Sequence, residues 1–477
     1  MDAIEKPSAA AEGIEYASVA ELHRLYRAKK LSPVEVVKAL HARIDRYEPS
    51  LHAFVTPSPE IALERARASE GRMVRGQLLG PLDGIPYGLK DVIETAGLRT
   101  TGQSKILEHH VPAHDAFVEA RMKSGGAVLM GKLTTYELAH GGPSWDLPWP
   151  PAMNPWKQGY LPGGTSSGPG AALAAGFLPA AIGTDTGGSI RMPAASCGIA
   201  GVKPTYGLVS RRGVLPNTYS FDACGPMARS VEDAAMMLGV MAGYDAQDIS
   251  SVQRPAADYV RDLDAGLKGV RIGWVRHWYD GDPTCHPDIP PAMNAAMETL
   301  RAAGAIVEEI ELSDLLVYQD CKTTISITEM FSAYEHEFRT RPQDFGTMFR
   351  NKVLPGALIR AEDYFQALRQ RTWLCEELAR AFAEYDVLAS AGWMTVAEKA
   401  KPDKLDKFLR PPNITTPFNI GGQPAMNLPC GMSAEGLPIS LQLAARHFDE
   451  ALTFRVGHAY QRETDWHTRR PSEGLTQ

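Results

Sequence analysis

The sequence predicts an α/β layered fold, from three observations. From Ile182 onward, short β-like segments alternate with helical ones, the order that lays helices against a sheet. Upstream, apolar runs of strand length sit between segments with apolar residues at helical spacing. No repeat, linker or low-complexity stretch divides the 477 residues. One large domain over residues 17–477 is therefore expected, with residues 1–16 as a loose N-terminal tail.

Taken in order, residues 19–30 and 33–47 read as amphipathic helices, the second with Val34, Val37, Leu40 and Ile44 on one face. Ser32-Pro33-Val34-Glu35 supplies its N-cap, a proline at the first helical position and a capping-box glutamate. A charged helix at 61–75 follows, then an apolar strand at 82–93 with Lys90 near its end. Residues 115–123 read as a helix and 127–131 as a strand. Gly126-x4-Gly131-Lys132 resembles a phosphate loop, but Leu133 stands where a Ser or Thr should hold magnesium, so no nucleotide site is expected. A helix should begin at 171–175. Further helices are expected at 231–242, 291–303, 321–338 and 361–385, and strands at 270–275 and 306–310.

Composition narrows the function classes. Hydrophobic residues make up 44%, enough for a sizeable core. A net charge of −7 without a long block of either sign argues against nucleic acid or an anionic membrane as partner. The six cysteines are scattered without a Cys-x-x-Cys pair, which favours buried thiols in a reducing compartment over a metal or disulfide framework. No basic start with an apolar run opens the chain, and the most apolar stretch, 171–183, is too short for a membrane span. A soluble, cytoplasmic protein is expected.

The chemistry concentrates at 163–191. Gly163-Gly164-Thr165-Ser166-Ser167-Gly168 and Thr184-Asp185-Thr186-Gly187-Gly188-Ser189-Ile190-Arg191 flank an alanine-rich run. Glycine allows close backbone approach, so each cluster can form a tight loop with exposed N–H groups. A serine ending such a loop has a nucleophilic oxygen beside donors for an oxyanion. One such loop is an ordinary turn; two, 24 positions apart (165 to 189), are not.

This stretch resembles the signature region of the amidase signature family, serine hydrolases with a Ser–cis-Ser–Lys triad. The resemblance extends through Gly80-Pro81-Leu82-Asp83-Gly84-Ile85-Pro86-Tyr87-Gly88-Leu89-Lys90-Asp91 and through Cys197-Gly198-Ile199-Ala200-Gly201-Val202-Lys203-Pro204. It also takes in Pro417-Phe418-Asn419, Gly422-Gln423-Pro424-Ala425 and Gly436-Leu437-Pro438, and covers about residues 20–470. It implies a large mixed β-sheet sandwiched between α-helices. It also implies an amidohydrolase acting through a Ser189 acyl-enzyme, with Lys90 as general base and acid. The backbone of Thr186, Gly187, Gly188 and Ser189 would form the oxyanion hole, while Asp185 and Arg191 would fix the loop. The relay position, where the family has serine after a cis peptide bond, holds Thr165, which keeps the hydroxyl but restricts χ1. Either Thr165 or Ser166 carries the relay, and Thr165 is favoured because its spacing to Ser189 is intact.

Three other readings follow from the same residues. Ser166 within Gly164-x-Ser166-x-Gly168 fits the nucleophile elbow of an α/β-hydrolase-type esterase, although the preceding segment is loop-like. The chain could instead be the amidase subunit of a tRNA-dependent amidotransferase, or a catalytically silent binding protein. Gly141, Gly142, Trp145, Met330 and Trp393 are candidates for an apolar pocket, which would suit aryl amides, carbamates or urethanes, with esterase side activity. The expected partners are a small-molecule amide or carbamate and water, with no nucleic acid and no membrane. No cofactor or metal is expected, and the chain should be a monomer or homodimer.

Overall fold

Eleven strands form one mixed sheet in the computed structural model, which describes residues 13–401 and 412–471. They are β1 (Phe54–Pro57), β2 (Pro86–Lys90), β3 (Val128–Leu133), β4 (Ala180–Asp185), β5 (Ala200–Lys203), β6 (Ala223–Ala228), β7 (Arg271–Trp274), β8 (Ile306–Glu309), β9 (Val387–Ala391), β10 (Ala425–Met432) and β11 (Pro438–Ala445). Their order across the sheet is β1-β3-β2-β4-β6-β5-β10-β11-β9-β7-β8. Every residue of β2, β3, β4, β6 and β11 is buried. Successive side chains point to opposite faces, so both faces of the central sheet are covered by helices and loops. That is the layered α/β architecture expected from the alternation.

The expected N-terminal helices form at Val19–Arg27 and Pro33–Leu51, the latter with its capping box closed between Ser32 and Glu35. Of the expected tail, residues 1–12 lie outside the described residues; Ile14–Tyr16 make a short 3-10 turn, with Ile14 buried. The strand expected at 82–93 is shorter, because Leu82 and Asp83 turn instead: Arg72 holds the Asp83 carboxylate with bonds of 2.6 and 2.8 Å. The phosphate-loop-like segment is part of β3, and Lys132 is buried with its amine on Thr100 Oγ1 at 3.0 Å and on the Ile93 carbonyl.

Two differences bear on the site. The helix before β4 spans Ser167–Ala174 and so begins ahead of the alanine run. Its glycines read as a loop, but Gly168 is there for space: a Cβ would lie 2.3 Å from Thr134 N and 2.5 Å from Ala53 O. Pro169 is tolerated because the first turn needs no intrahelical N–H. The helix expected at 321–338 runs instead from Leu315 to Ala333, capped by Asp314 on Leu316 N at 2.8 Å, and a second helix, Glu335–Thr340, follows.

β2 and β4 are parallel neighbours, with Tyr87 opposite Ala180 and Leu89 opposite Ile182. Lys90, the last residue of β2, therefore points from the same edge as the end of β4 and the loop after it. Outside the carboxyl ends of parallel strands is where α/β sheets place their ligands. Among the described residues no helix is long and apolar enough to cross a membrane.

Candidate active site

Lys90 is fully buried, and its Nζ lies 2.6 Å from Thr165 Oγ1 and 2.8 Å from Thr184 Oγ1. Two hydroxyls can accept from an ammonium or one can donate to a neutral amine, so the contact permits proton transfer in both directions. Burial pulls the amine down to about 7, against the opposing pull of Asp185, Asp222 and Cys224. No carboxylate forms an ion pair with Lys90 among the described residues.

Ser189 follows β4 in a loop fixed by one buried ion pair. Arg191 grips Asp185 through Nε and Nη2, each at 3.0 Å, and both side chains have no exposed surface. Asn419 adds a bond to Asp185 Oδ1 at 2.8 Å. Burial alone would push the Asp185 carboxyl up, but Arg191 and its other donors hold it well below the usual carboxylate range. The same carboxylate accepts the N–H of Gly188 at 2.8 Å and of Ile190 at 3.2 Å. Gly188 N–H is thus already committed, which corrects its expected place among the oxyanion donors. The N–H groups of Thr186, Gly187 and Ser189 have no protein acceptor among the described residues. Thr186 is tethered through its hydroxyl to Asp222 Oδ1 at 2.5 Å.

Thr165 and Ser189 are buried, at 4% and 7% exposed. Among the described residues Ser189 Oγ makes no hydrogen bond to Thr165 or any other protein group. The structure thus joins Lys90 to Thr165 and leaves Ser189 Oγ free. No cis peptide bond occurs among the described residues, so the one expected before Thr165 is not found. Ser166 is fully buried and donates to the Thr184 carbonyl at 3.3 Å. No strand precedes it, which removes the nucleophile-elbow reading.

The expected pocket residues separate. Met330 is fully buried in an apolar cluster with Leu138, Tyr334, Phe338, Phe345 and Phe349, and so is core, not pocket wall. Gly141 and Gly142 lie against Met348 of the helix Thr347–Val353. Trp145 is exposed and Trp393 half-buried. Sequence reasoning passed over Thr184, Asp222, Asn413, Thr415 and Lys322. Thr415 Oγ1 donates to the Gly187 carbonyl at 2.9 Å, as does the Asn413 amide, holding the loop from the opposite side. One signal for Lys322 was available: it is the sole basic residue of its helix. Among the described residues no group of three His, Cys, Asp or Glu side chains is placed to hold a metal ion.

The Amidase family model matches residues 35–454. The chain belongs to the amidase signature family. A relative of this amidase, the A subunit of the glutamyl-tRNA(Gln) amidotransferase of Chloroflexus aggregans, is 40% identical, covering 96% of this chain and 98% of its own. Among solved structures, the peptide amidase of Stenotrophomonas maltophilia superposes with a TM-score of 0.85 at 29% identity, over 96% of this chain and 99% of that one. The corresponding amidotransferase polypeptide from Thermotoga maritima gives 0.79 at 29% identity, over 94% and 95%. These relatives overturn the expectation of a monomer or homodimer with only small-molecule partners and no nucleic acid.

Proposed function

We propose that this amidase is the amide-cleaving component of a tRNA-dependent amidotransferase, releasing ammonia from glutamine for transfer within an assembly. The buried Lys90 amine 2.6 Å from Thr165 carries the chemical part of this reading. The identity to the amidotransferase relative over nearly the whole chain supports the assignment to an assembly.

The chemistry runs from a neutral Lys90. Thr165 Oγ passes its proton to Lys90 Nζ while taking the proton of Ser189 Oγ, which forms a bond to the amide carbon. The carbonyl oxygen becomes an oxyanion facing the free N–H groups of Thr186, Gly187 and Ser189; one such donor contributes about 3 kcal/mol to the transition state. Collapse breaks the C–N bond as the Lys90 proton returns through Thr165 to the leaving nitrogen. Water then attacks the ester by the same route and restores Ser189.

A second reading, hydrolysis of aryl amides, carbamates or esters, draws support from Thr165, whose added methyl departs from the family's serine. Two measurements test the proposal. Labelling with a fluorophosphonate should be lost in Ser189→Ala and kept in Ser166→Ala; the reverse pattern refutes the catalytic assignment. Ammonia release from glutamine should exceed turnover of an aryl acylamide or carbamate in the purified chain mixed with its partner proteins. A preference for the aryl substrates favours the second reading.

A further inference from the structure

Asp222 is a buried carboxylate that the proton relay does not use, and it sits one rung beyond the pairing of β4 with β6. Asp185, the last residue of β4, lies opposite Ala223, the first of β6, so the next opposed pair along that ladder is Thr186 and Asp222. Directly opposed residues put their side chains on one face. The Thr186 hydroxyl accordingly donates to Asp222 Oδ1 at 2.5 Å. From the other side the N–H groups of Asn217 and Thr218 each reach Asp222 Oδ2 at 3.0 Å, which closes residues 217–222 into a turn. Ser326 of the helix Leu315–Ala333 bonds the Thr218 hydroxyl at 2.8 Å and keeps that turn in place.

Among the described residues no cation forms an ion pair with Asp222. Arg211, Lys322 and Tyr334 face it without bonding to it: Arg211 is taken up by the Tyr219 carbonyl and Ser250, and the Tyr334 hydroxyl by the Pro216 carbonyl. Burial pushes the Asp222 carboxyl up, while Thr186 and the two N–H groups oppose that rise. Backbone N–H groups can only donate, and both carboxyl oxygens receive one, the pattern of the ionised form. Three groups bear electrostatically on Lys90: Asp185, Asp222 and Cys224. Arg191 neutralises Asp185, and burial pushes the Cys224 thiol up to about 12, so of these three Asp222 is the one with an unpaired charge.

We propose that Asp222 is a positioning residue for the chemistry at Ser189: it fixes Thr186, the first donor of the oxyanion run, and its charge steadies the protonated Lys90. The inference rests on attack by Ser189 with Lys90 as base. Through the hydroxyl tether the Thr186 N–H keeps one direction, and a donor already in place needs no reorganisation when the oxyanion forms. A carboxylate near an amine favours the ammonium, so Asp222 opposes the burial that pulls Lys90 down. Without that opposition the amine would be a weaker base toward the Ser189 proton. Bracing of the turn at 217–222 alone is the competing assignment, and it predicts lost stability with no change in pH dependence.

The probe is a fluorophosphonate, and the readout is its rate of reaction with Ser189 in the full chain between about pH 5 and pH 9. In the parent the rate should rise through about pH 7 as Lys90 loses its proton. Asp222→Asn should move that midpoint down by about one unit, because the charge that favours the ammonium is gone. Thr186→Val keeps the side-chain shape and the Asp222 charge; it should lower the plateau rate about tenfold to a hundredfold with the midpoint unmoved, and Thr186→Ser should restore it. An unmoved midpoint in Asp222→Asn, or a Thr186→Val plateau at the parent rate, overturns the proposal. If circular dichroism shows that Asp222→Asn does not fold, the two Thr186 variants decide. A parent chain that is not labelled at Ser189 overturns the inference together with the catalytic reading. The expected labelling pattern in a chain that releases no ammonia from amides sustains the positioning role and refutes the amidase reading.

Discussion

Lys90 Nζ and Thr165 Oγ1 meet at 2.6 Å although 75 residues separate them in the chain. The parallel pairing of β2 with β4 carries the lysine to one side of the meeting point, and the loop ahead of the helix Ser167–Ala174 brings the threonine from the other. If this contact is the relay, Thr165→Ala should lower kcat by about 100-fold or more, the usual contribution of positioned acid–base transfer. Thr165→Ser should stay within about tenfold of the parent chain, since it keeps the oxygen and frees χ1. Steady-state ammonia release checks both, and an alanine variant with full activity removes Thr165 from the mechanism.

The same lysine should weaken the fold as it serves the chemistry. Its folded pKa, about 7, lies below the ordinary lysine value of 10.5. Between those two values the unfolded chain binds a proton that the folded chain does not. Stability from this group is therefore fully present above the unfolded value and is lost as pH falls toward 7, by about 1.4 kcal/mol per unit. Lys90→Met should be inactive, and its stability relative to the parent chain should grow as pH drops from 10 to 7. Urea unfolding of both proteins across that range measures the difference. A gap independent of pH means that Lys90 is charged and satisfied when folded. Activity should likewise rise with pH, through pH 7, as the amine loses its proton.

How far the sequence disclosed this arrangement depended on whether the cause was local. The capping box at Ser32 and Glu35 and the helix it starts were readable because both partners lie within one turn. Asp185 and Arg191 stood out as flanking charges, six residues apart, and they do pair. Gly168 reads as loop from the sequence because what demands glycine there is Thr134 and Ala53, remote along the chain. Asp222 reaches the loop from a segment whose own spacing carries no sign of it. β10 and β11 went unassigned, their partners β5 and β9 being set by topology rather than by any local turn signal alone. Gly188 reads as an oxyanion donor because a glycine-rich loop reveals its N–H groups but not which of them a neighbouring carboxylate already holds.

That carboxylate makes the loop sensitive to changes that leave Ser189 untouched. Gly188 adopts a φ of 107°, and a Cβ there would fall 2.0 Å from Thr415 Oγ1, itself bonded to the Gly187 carbonyl. Gly188→Ala must therefore displace the strap at Thr415 and pull the Gly188 N–H from Asp185. Arg191→Met has a different effect: it leaves Asp185 buried without its cation, while the carbonyl of Thr415 and the side chains of Gln442 and Asn419 lose their donor. Removing one member of such a pair costs about 3–5 kcal/mol, since the remaining charge stays desolvated. Arg191→Met should lower stability by that amount and abolish turnover. Gly188→Ala should reduce fluorophosphonate labelling of Ser189 far more than it reduces stability. Labelling rate and urea midpoint, measured on the same preparations, distinguish the two. If Gly188→Ala reacts at the parent rate, the geometry of this loop does not govern the nucleophile.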